Sequence, residues 1–381
     1  MEEKECSRCV LDTTVKEIEF DHQGICSYCH DYDVLAKKTV LLPRDHRYAK
    51  FDEVITKIKS VGAGKEYDCV LGLSGGVDSS YLALVAHQNG LRPLVVHFDN
   101  GWNNELAVKN IENIVSSLNF DLHTYVINWQ EFKDLQLAYF RASVLDIEVP
   151  TDQLIVATLY RIAKENNIKY ILSGNNFRTE YMLPESWCLR KKLDRTNLTN
   201  IHKAYGKVRL KNFPKIGAKE LYYYKKKGIR LVTFFDKIDF NLTDVKRMLK
   251  NELNWNDYSG KHFESIFTRF YQGYILPKKF NIDKRKAHLS SLICSNQLTR
   301  EQALEELSKP TYAEELQQQD KEYVLKKWGI NEDDFDEVMR KPVVSHDEYG
   351  YDRTPISIRL MKRLRLIYLF KIAYPLGLKK K

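Results

Sequence analysis

The chain has 381 residues, 43% of them hydrophobic, a length that gives two or three domains each with its own core. Its 17 Phe, 23 Tyr and 5 Trp exclude disorder as the dominant state, and no run of eighteen apolar residues is present to span a membrane. Lys and Arg outnumber Asp and Glu by 60 to 51, and this net +9 asks for an anionic partner. The first residues show no cationic stretch leading into an apolar core, so the expected location is the cytoplasm. Seven cysteines there point to free thiols or metal rather than a disulfide framework.

In chain order, the first feature is a cysteine quartet, Cys6 and Cys9 followed by Cys26 and Cys29. Two C-x-x-C knuckles at this separation place four thiolates tetrahedrally around Zn²⁺ at about 2.3 Å each. Four such ligands leave no open position, so the zinc is expected to be structural and to supply folding energy to a segment of residues 1–40. Redox-active pairs and an iron–sulfur cluster are the alternatives. His22 and His30 flank the quartet as bystanders. Cys69, Cys188 and Cys294 stand alone, and Cys69 reads as a core residue.

Residues 50–185 alternate short β-type runs with helical stretches. Asp68–Leu73, Leu94–Phe98, His123–Ile127 and Tyr170–Leu172 read as strands. Between them Ser79–Gln88, Glu105–Leu118 and Asp152–Asn166 carry apolar residues at helical spacing. Such alternation builds βαβ units and a parallel sheet, an α/β domain that binds its ligand beyond the carboxyl ends of the strands.

The first strand is followed by Ser74, Gly75, Gly76, Val77, Asp78, Ser79 and Ser80, running into a helix. Two adjacent glycines allow a tight turn whose N–H groups approach an anion, and the helix N-terminus adds unpaired donors. Asp78 would repel a phosphate unless Mg²⁺ bridges the two. The loop is neither a Walker A loop nor a dinucleotide fingerprint, and the plain alternative is a capped glycine turn. The string SGGVDSS after an apolar strand resembles the PP-loop of ATP pyrophosphatases, which cleave ATP to AMP and pyrophosphate. The resemblance implies a HUP-like, Rossmann-like ATP pyrophosphatase domain with a small four-cysteine zinc domain ahead of it. Asp99, at the end of the second strand, and Gly174 with Asn175, at the end of the fourth, fall where residues near ATP are expected.

Residues 186–300 hold the charge surplus. From Ser186 to Arg230 fourteen Lys and Arg face only Asp194 and Glu220, a local +12, so the rest of the chain is slightly acidic. A solvated face, a nucleic-acid grip and a site for an anionic substrate or acidic partner are the readings open to it. Next come GKHFESIFTRF, with His262, Glu264 and Arg269 as candidate substrate ligands, and LPKKFNIDKRKAHLSSLI. Lys279, Arg285 and Lys286 are the candidate catalytic cations for the pyrophosphate leaving group. Residues 301–381 read as helices. For Leu360–Lys381 a helix packed on the core is favoured over membrane-surface contact.

Together the cysteine pairs, SGGVDSS, HFDNGW, LSGNN, GKHFESIFTRF and LPKKFNIDKRKAHLSSLI resemble the N-acetyl sugar amidotransferase family of lipopolysaccharide and nonulosonic acid biosynthesis. The resemblance covers essentially the whole chain. It implies an ATP- and Mg²⁺-dependent enzyme that turns the acetamido group of a nucleotide-linked sugar into an acetamidino group. It also implies ammonia from a class I glutaminase partner like that of histidine biosynthesis, with a cyclase-like barrel subunit to help deliver it. No cysteine of this chain sits in a nucleophile elbow, which agrees with an outside ammonia source. The rival reading is a tRNA-modifying thiolase of the PP-loop type. It requires a persulfide cysteine near the nucleotide, for which only Cys188 and Cys294 are candidates, so nucleic acid is not the expected partner.

Overall fold

The computed structural model describes residues 4–258 and 260–352. Five strands form one parallel sheet: β1 (Cys69–Gly72), β2 (Pro93–Asp99), β3 (Leu122–Val126), β4 (Tyr170–Ser173) and β5 (Arg230–Thr233). Four are legible from their apolar runs. The fifth ends the basic segment, where flanking lysines mask a short apolar stretch. The order is β3-β2-β1-β4-β5, so the direction of winding reverses between β1 and β4. That reversal opens a crevice at the carboxyl ends of these two strands.

Alternate residues of the central strands feed two cores, as a period of two requires. Leu71 and Val95 join Leu82 and Val85 of helix Val77–Gln88 and the ring of Phe234. Val70, Val96 and Ile171 join Ala157 and Ile162 of helix Val149–Glu165 on the other face. Cys69 has no exposed surface and belongs to the first of these cores. Helix Glu105–Leu118 has the expected bounds. It starts where the Asn104 side chain accepts from the Leu106 N–H and stops at Asn119, whose φ of 50° cannot continue it. A further helix, Trp129–Arg141, is hidden in the sequence by its mixed polarity.

Residues 1–40 do not stand apart. The Val10 N–H donates to Ser290 Oγ at 3.2 Å, and the Arg300 guanidinium donates to the carbonyls of Cys9 and Cys6 at 3.1 and 3.3 Å. The knuckles thus share one core with the helical region that follows the sheet. That region holds helices Arg285–Cys294, Arg300–Ser308, Glu314–Trp328 and Glu332–Arg340. The stretch Leu360–Lys381 lies outside the described residues. Among the described residues no helix is long and apolar enough to cross a membrane.

The basic segment is strapped to helix Trp129–Arg141 by two buried carboxylates. Asp134 accepts from the backbone N–H groups of Lys207 and Val208, and Glu131 from those of Asn212 and Phe213, at 2.8–3.0 Å. These bonds satisfy backbone donors that would otherwise be left unpaired in a stretch without regular structure.

Candidate active site

The loop after β1 is held by its own hydroxyls. Ser74 Oγ accepts from the Gly76 N–H at 3.2 Å and lies 3.1 Å from Ser79 Oγ. Ser79 and Ser80 both donate to the Gly76 carbonyl, at 3.1 and 2.7 Å. Gly75 has φ +80°, and a Cβ there would lie 2.7 Å from the Ala107 carbonyl oxygen. Its own carbonyl is gripped by the Trp255 indole N–H at 2.8 Å and the Tyr258 hydroxyl at 3.1 Å. Only glycine meets both demands, so Gly75→Ala is expected to lower stability by about 2 kcal/mol or more and weaken ATP binding at least about tenfold. Denaturant unfolding beside an ATP titration checks both effects.

Asp78 sits in the first turn of helix Val77–Gln88, half-buried, and its Oδ1 accepts from Asn176 Nδ2 at 3.1 Å. Asn176 belongs to the turn after β4, so the ends of β1 and β4 meet here, at the switch point of the sheet. Glu180, one helical turn further, accepts from the Asn176 N–H at 3.3 Å and pairs with Lys261 at 3.2 Å. Burial, then the Glu180 charge, push the Asp78 carboxyl up to about 6, with Lys261 and Asn176 opposing. Burial also works to raise Glu180, but Lys261 and His262 outweigh it and hold it below the usual carboxylate range. Two neighbouring carboxylates with a surplus of negative charge are a hard-oxygen donor set that suits Mg²⁺.

Across from them stand His262 and Glu264. His262 has φ +65°, a conformation rare outside glycine and costing on the order of 1–3 kcal/mol. Its Nδ1 lies 3.5 Å from Glu264 Oε1, and that oxygen would lie 3.2 Å from a Cβ added at Gly76. His288 donates from Nδ1 to the Thr179 carbonyl at 2.9 Å, and burial with the Lys261 charge keeps its ring neutral. These groups open into a cavity of about 1390 Å³. Its walls come from the loop end (Asn175, Glu180, His262), from the knuckles (Tyr28, Asp31) and from helix Arg285–Cys294 (His288).

Several expected site residues are used elsewhere. Lys279 donates to the carbonyls of Val338, Met339 and Lys341 at 2.6–3.3 Å and so caps helix Glu332–Arg340. Lys286 pairs with Asp12, fastening the knuckles. Arg285 borders the cavity, but its guanidinium is taken by Asp283 at 2.7 Å and by carbonyls at the end of helix Arg300–Ser308. Arg269 is buried in a two-point pair with Asp320 at 2.7 and 2.8 Å. Asp99 accepts from the Gly101 N–H at 3.0 Å, so its carboxylate serves the turn after β2. Gly174 lies close to Asp78, where an added Cβ would still find ordinary contact at 3.7 Å. Of the fourteen cations in the basic segment, Arg190 and Lys192 line the cavity.

Sequence reasoning missed Glu180 and Lys261 as site residues. Glu180 sits four residues after Asn176, the spacing of one helical turn, and Lys261 stands immediately before His262.

The cysteine quartet is assembled as expected. All four Sγ atoms lie within 4.8 Å of one another, with pairs at 3.7, 3.7 and 3.9 Å. Four sulfurs about 2.3 Å from a tetrahedral centre stand roughly 3.8 Å apart, so the cluster can bind zinc. Backbone N–H groups of Arg8, Cys9 and Cys26 point at Cys6 Sγ at 3.2–3.4 Å, which stabilises a thiolate there.

Comparisons with known proteins agree with this layout. The family model described as asparagine synthase matches residues 66–176, and the model described as LPS biosynthesis protein WbpG-like, C-terminal domain, matches residues 264–365. The structure of NMN synthetase from Francisella tularensis aligns with 58% of this chain and 100% of its own, at 16% identity and a TM-score of 0.28. No curated protein matches the chain. The loop and its match define an ATP-using enzyme of ligase type. The two family matches together support an N-acetyl sugar amidotransferase-like family for this chain.

Proposed function

We propose that this protein uses ATP to activate the acetamido group of a nucleotide-linked N-acetyl sugar and replaces the carbonyl oxygen with ammonia, forming an acetamidino sugar for lipopolysaccharide O-antigen. The observation that carries the reading is one chain joining a stretch matched by the asparagine synthase model to a WbpG-like stretch, with residues of both matched stretches around a single cavity.

An amide carbonyl is a poor electrophile until its oxygen becomes a leaving group. The acetamido oxygen attacks the α-phosphorus of ATP, pyrophosphate departs, and an imidoyl-adenylate forms. Ammonia then adds to the imidoyl carbon, and AMP leaves with the oxygen. Asp78 and Glu180 would hold Mg²⁺, which when bound neutralises phosphate charge. Lys261 pairs with Glu180 at 3.2 Å and takes the role that the sequence suggests for Lys279, Arg285 and Lys286. Ammonia is assigned to a glutaminase partner with a barrel subunit, as the family resemblance implies; Cys69 and Cys294 are buried, and Cys188 is the cysteine that borders the cavity.

The test is to incubate the chain with ATP, Mg²⁺, ammonium chloride and candidate nucleotide sugars. The expected result is AMP together with a sugar product one mass unit lighter, oxygen replaced by NH. Tight, steeply salt-dependent binding of bulk tRNA with no sugar product would instead establish the thiolase reading.

A further inference from the structure

The cavity is larger than one ligand requires. A pocket for a single small molecule runs to roughly 300–1,000 Å³, and this one has about 1390 Å³. None of Ser74–Ser80 lines it; Asn176, which donates to Asp78, is where it meets the nucleotide loop. The other end is lined by a second polar group: Glu148, Asp152, Lys192, Thr268, Gln272 and Lys284. Glu148 precedes helix Val149–Glu165, and its carboxylate accepts from Thr268 Oγ1 at 2.6 Å and Gln272 Nε2 at 3.3 Å. Lys192 reaches Asp152 at 2.7 Å and the buried Asp146 at 3.2 Å.

Three features set this end apart from a structural ion network. Acceptor capacity is left over: a carboxylate offers about four lone-pair positions, whereas Glu148 uses two and Asp152 Oδ1 takes no hydrogen bond from the described residues. The groups stay open to the cavity, with the Asp152 and Lys192 side chains 38% and 31% exposed. Finally, Glu264, Thr268 and Gln272 recur at a spacing of four along one segment, from the loop end to Glu148. The last of them lies in a π-helical turn, Tyr271–Ile275, a form that opens a helix and concentrates at functional sites.

Carboxylates with spare acceptors beside a fixed ammonium recognise vicinal hydroxyls, and the cations Lys284 and Arg190 at the same end suit an attached phosphate. We infer that Glu148 and Asp152, with Lys192 between the acids, form the subsite that reads the hydroxyl groups of the sugar ring, Thr268 and Gln272 acting as positioning residues for Glu148. This rests on the amidotransferase reading, since a second ligand bound beside ATP is what that reaction needs.

The test uses the full chain with a non-hydrolysable ATP analogue and a panel of UDP-linked N-acetylhexosamines and N-acetylhexosaminuronic acids, with UDP alone as the sugar-free probe. Calorimetry is run on the natural protein and on Glu148→Gln and Asp152→Asn. The expected result is a nucleotide sugar that binds more tightly than UDP, an advantage that each variant reduces by about tenfold while ATP-analogue and UDP affinities change less than about twofold. Unchanged sugar affinity in both variants, with the panel still binding, overturns the subsite and leaves the amidotransferase reading standing. A parallel loss of ATP-analogue affinity also overturns it, because the cluster would then belong to the ATP site. No binding of any panel member to the natural protein overturns the subsite and the amidotransferase reading together.

Discussion

Asparagine in place of Asp78 is expected to give a protein that is more stable than the natural one at pH 7 and yet forms AMP at only a small fraction of the natural rate. Burial and the Glu180 charge raise the Asp78 carboxyl from its ordinary 3.8 to about 6. A raised acid is favoured in its protonated form by the fold. Its contribution is therefore most favourable below about 3.8 and is lost as pH rises to about 6. A rise of that size would correspond to roughly 3 kcal/mol, and solvent screening of a half-buried group reduces this to about 1–2 kcal/mol. Asparagine keeps the shape and can still accept from Asn176, but carries no charge. Unfolding at pH 4 and pH 7 should show the variant's advantage only at the higher pH, while substrate-dependent AMP release falls by about 10²–10³-fold. Retained AMP release would remove Asp78 from the reaction, and a stability loss at pH 7 would contradict the charge conflict.

The second large effect concerns the knuckles. One zinc per chain is expected by elemental analysis, and Cys26→Ser should lose it together with several kcal/mol of stability, lowering Tm by about 10 °C or more. The damage should reach the cavity. Tyr28 follows Cys26 by two residues, donates to Glu17 at 2.6 Å and accepts from the Glu185 N–H at 3.3 Å, while Glu17 accepts from the Ser186 N–H at 2.9 Å. These bonds join the knuckles to the turn that closes one wall of the cavity. The variant should thus need far more sugar substrate for half-saturation, while ATP binding at the opposite end is less affected. Folded, active protein containing no zinc would refute the assignment.

How much of this is legible in the sequence follows from how local each feature is. The spacing of the four cysteines and the string SGGVDSS are contiguous signals with their own geometry, and four strands declare themselves through runs such as Leu94–Phe98. β5 does not, because a four-residue strand beside three lysines carries too little periodic signal. The cations mislead for a related reason. The sequence shows that Lys279 and Lys286 are charged and near a motif, but not that a helix end 59 residues away or the Asp12 carboxylate claims them. Long-range pairing decides which charges remain for chemistry. Glu180 and Lys261, 81 residues apart, become one site for the same reason.

The contact between Val10 and Ser290 spans 280 residues. During synthesis the knuckles emerge first and can load metal while the sheet is still being made. The helix on which they dock, Arg285–Cys294, appears on the order of tens of seconds later at ordinary translation rates. Until then the cavity has only part of its walls: a chain stopped short of residue 285 would have its cysteine quartet and its nucleotide loop but not the His288 wall. Assembly order thus makes this wall of the cavity later than both the sheet and the nucleotide loop.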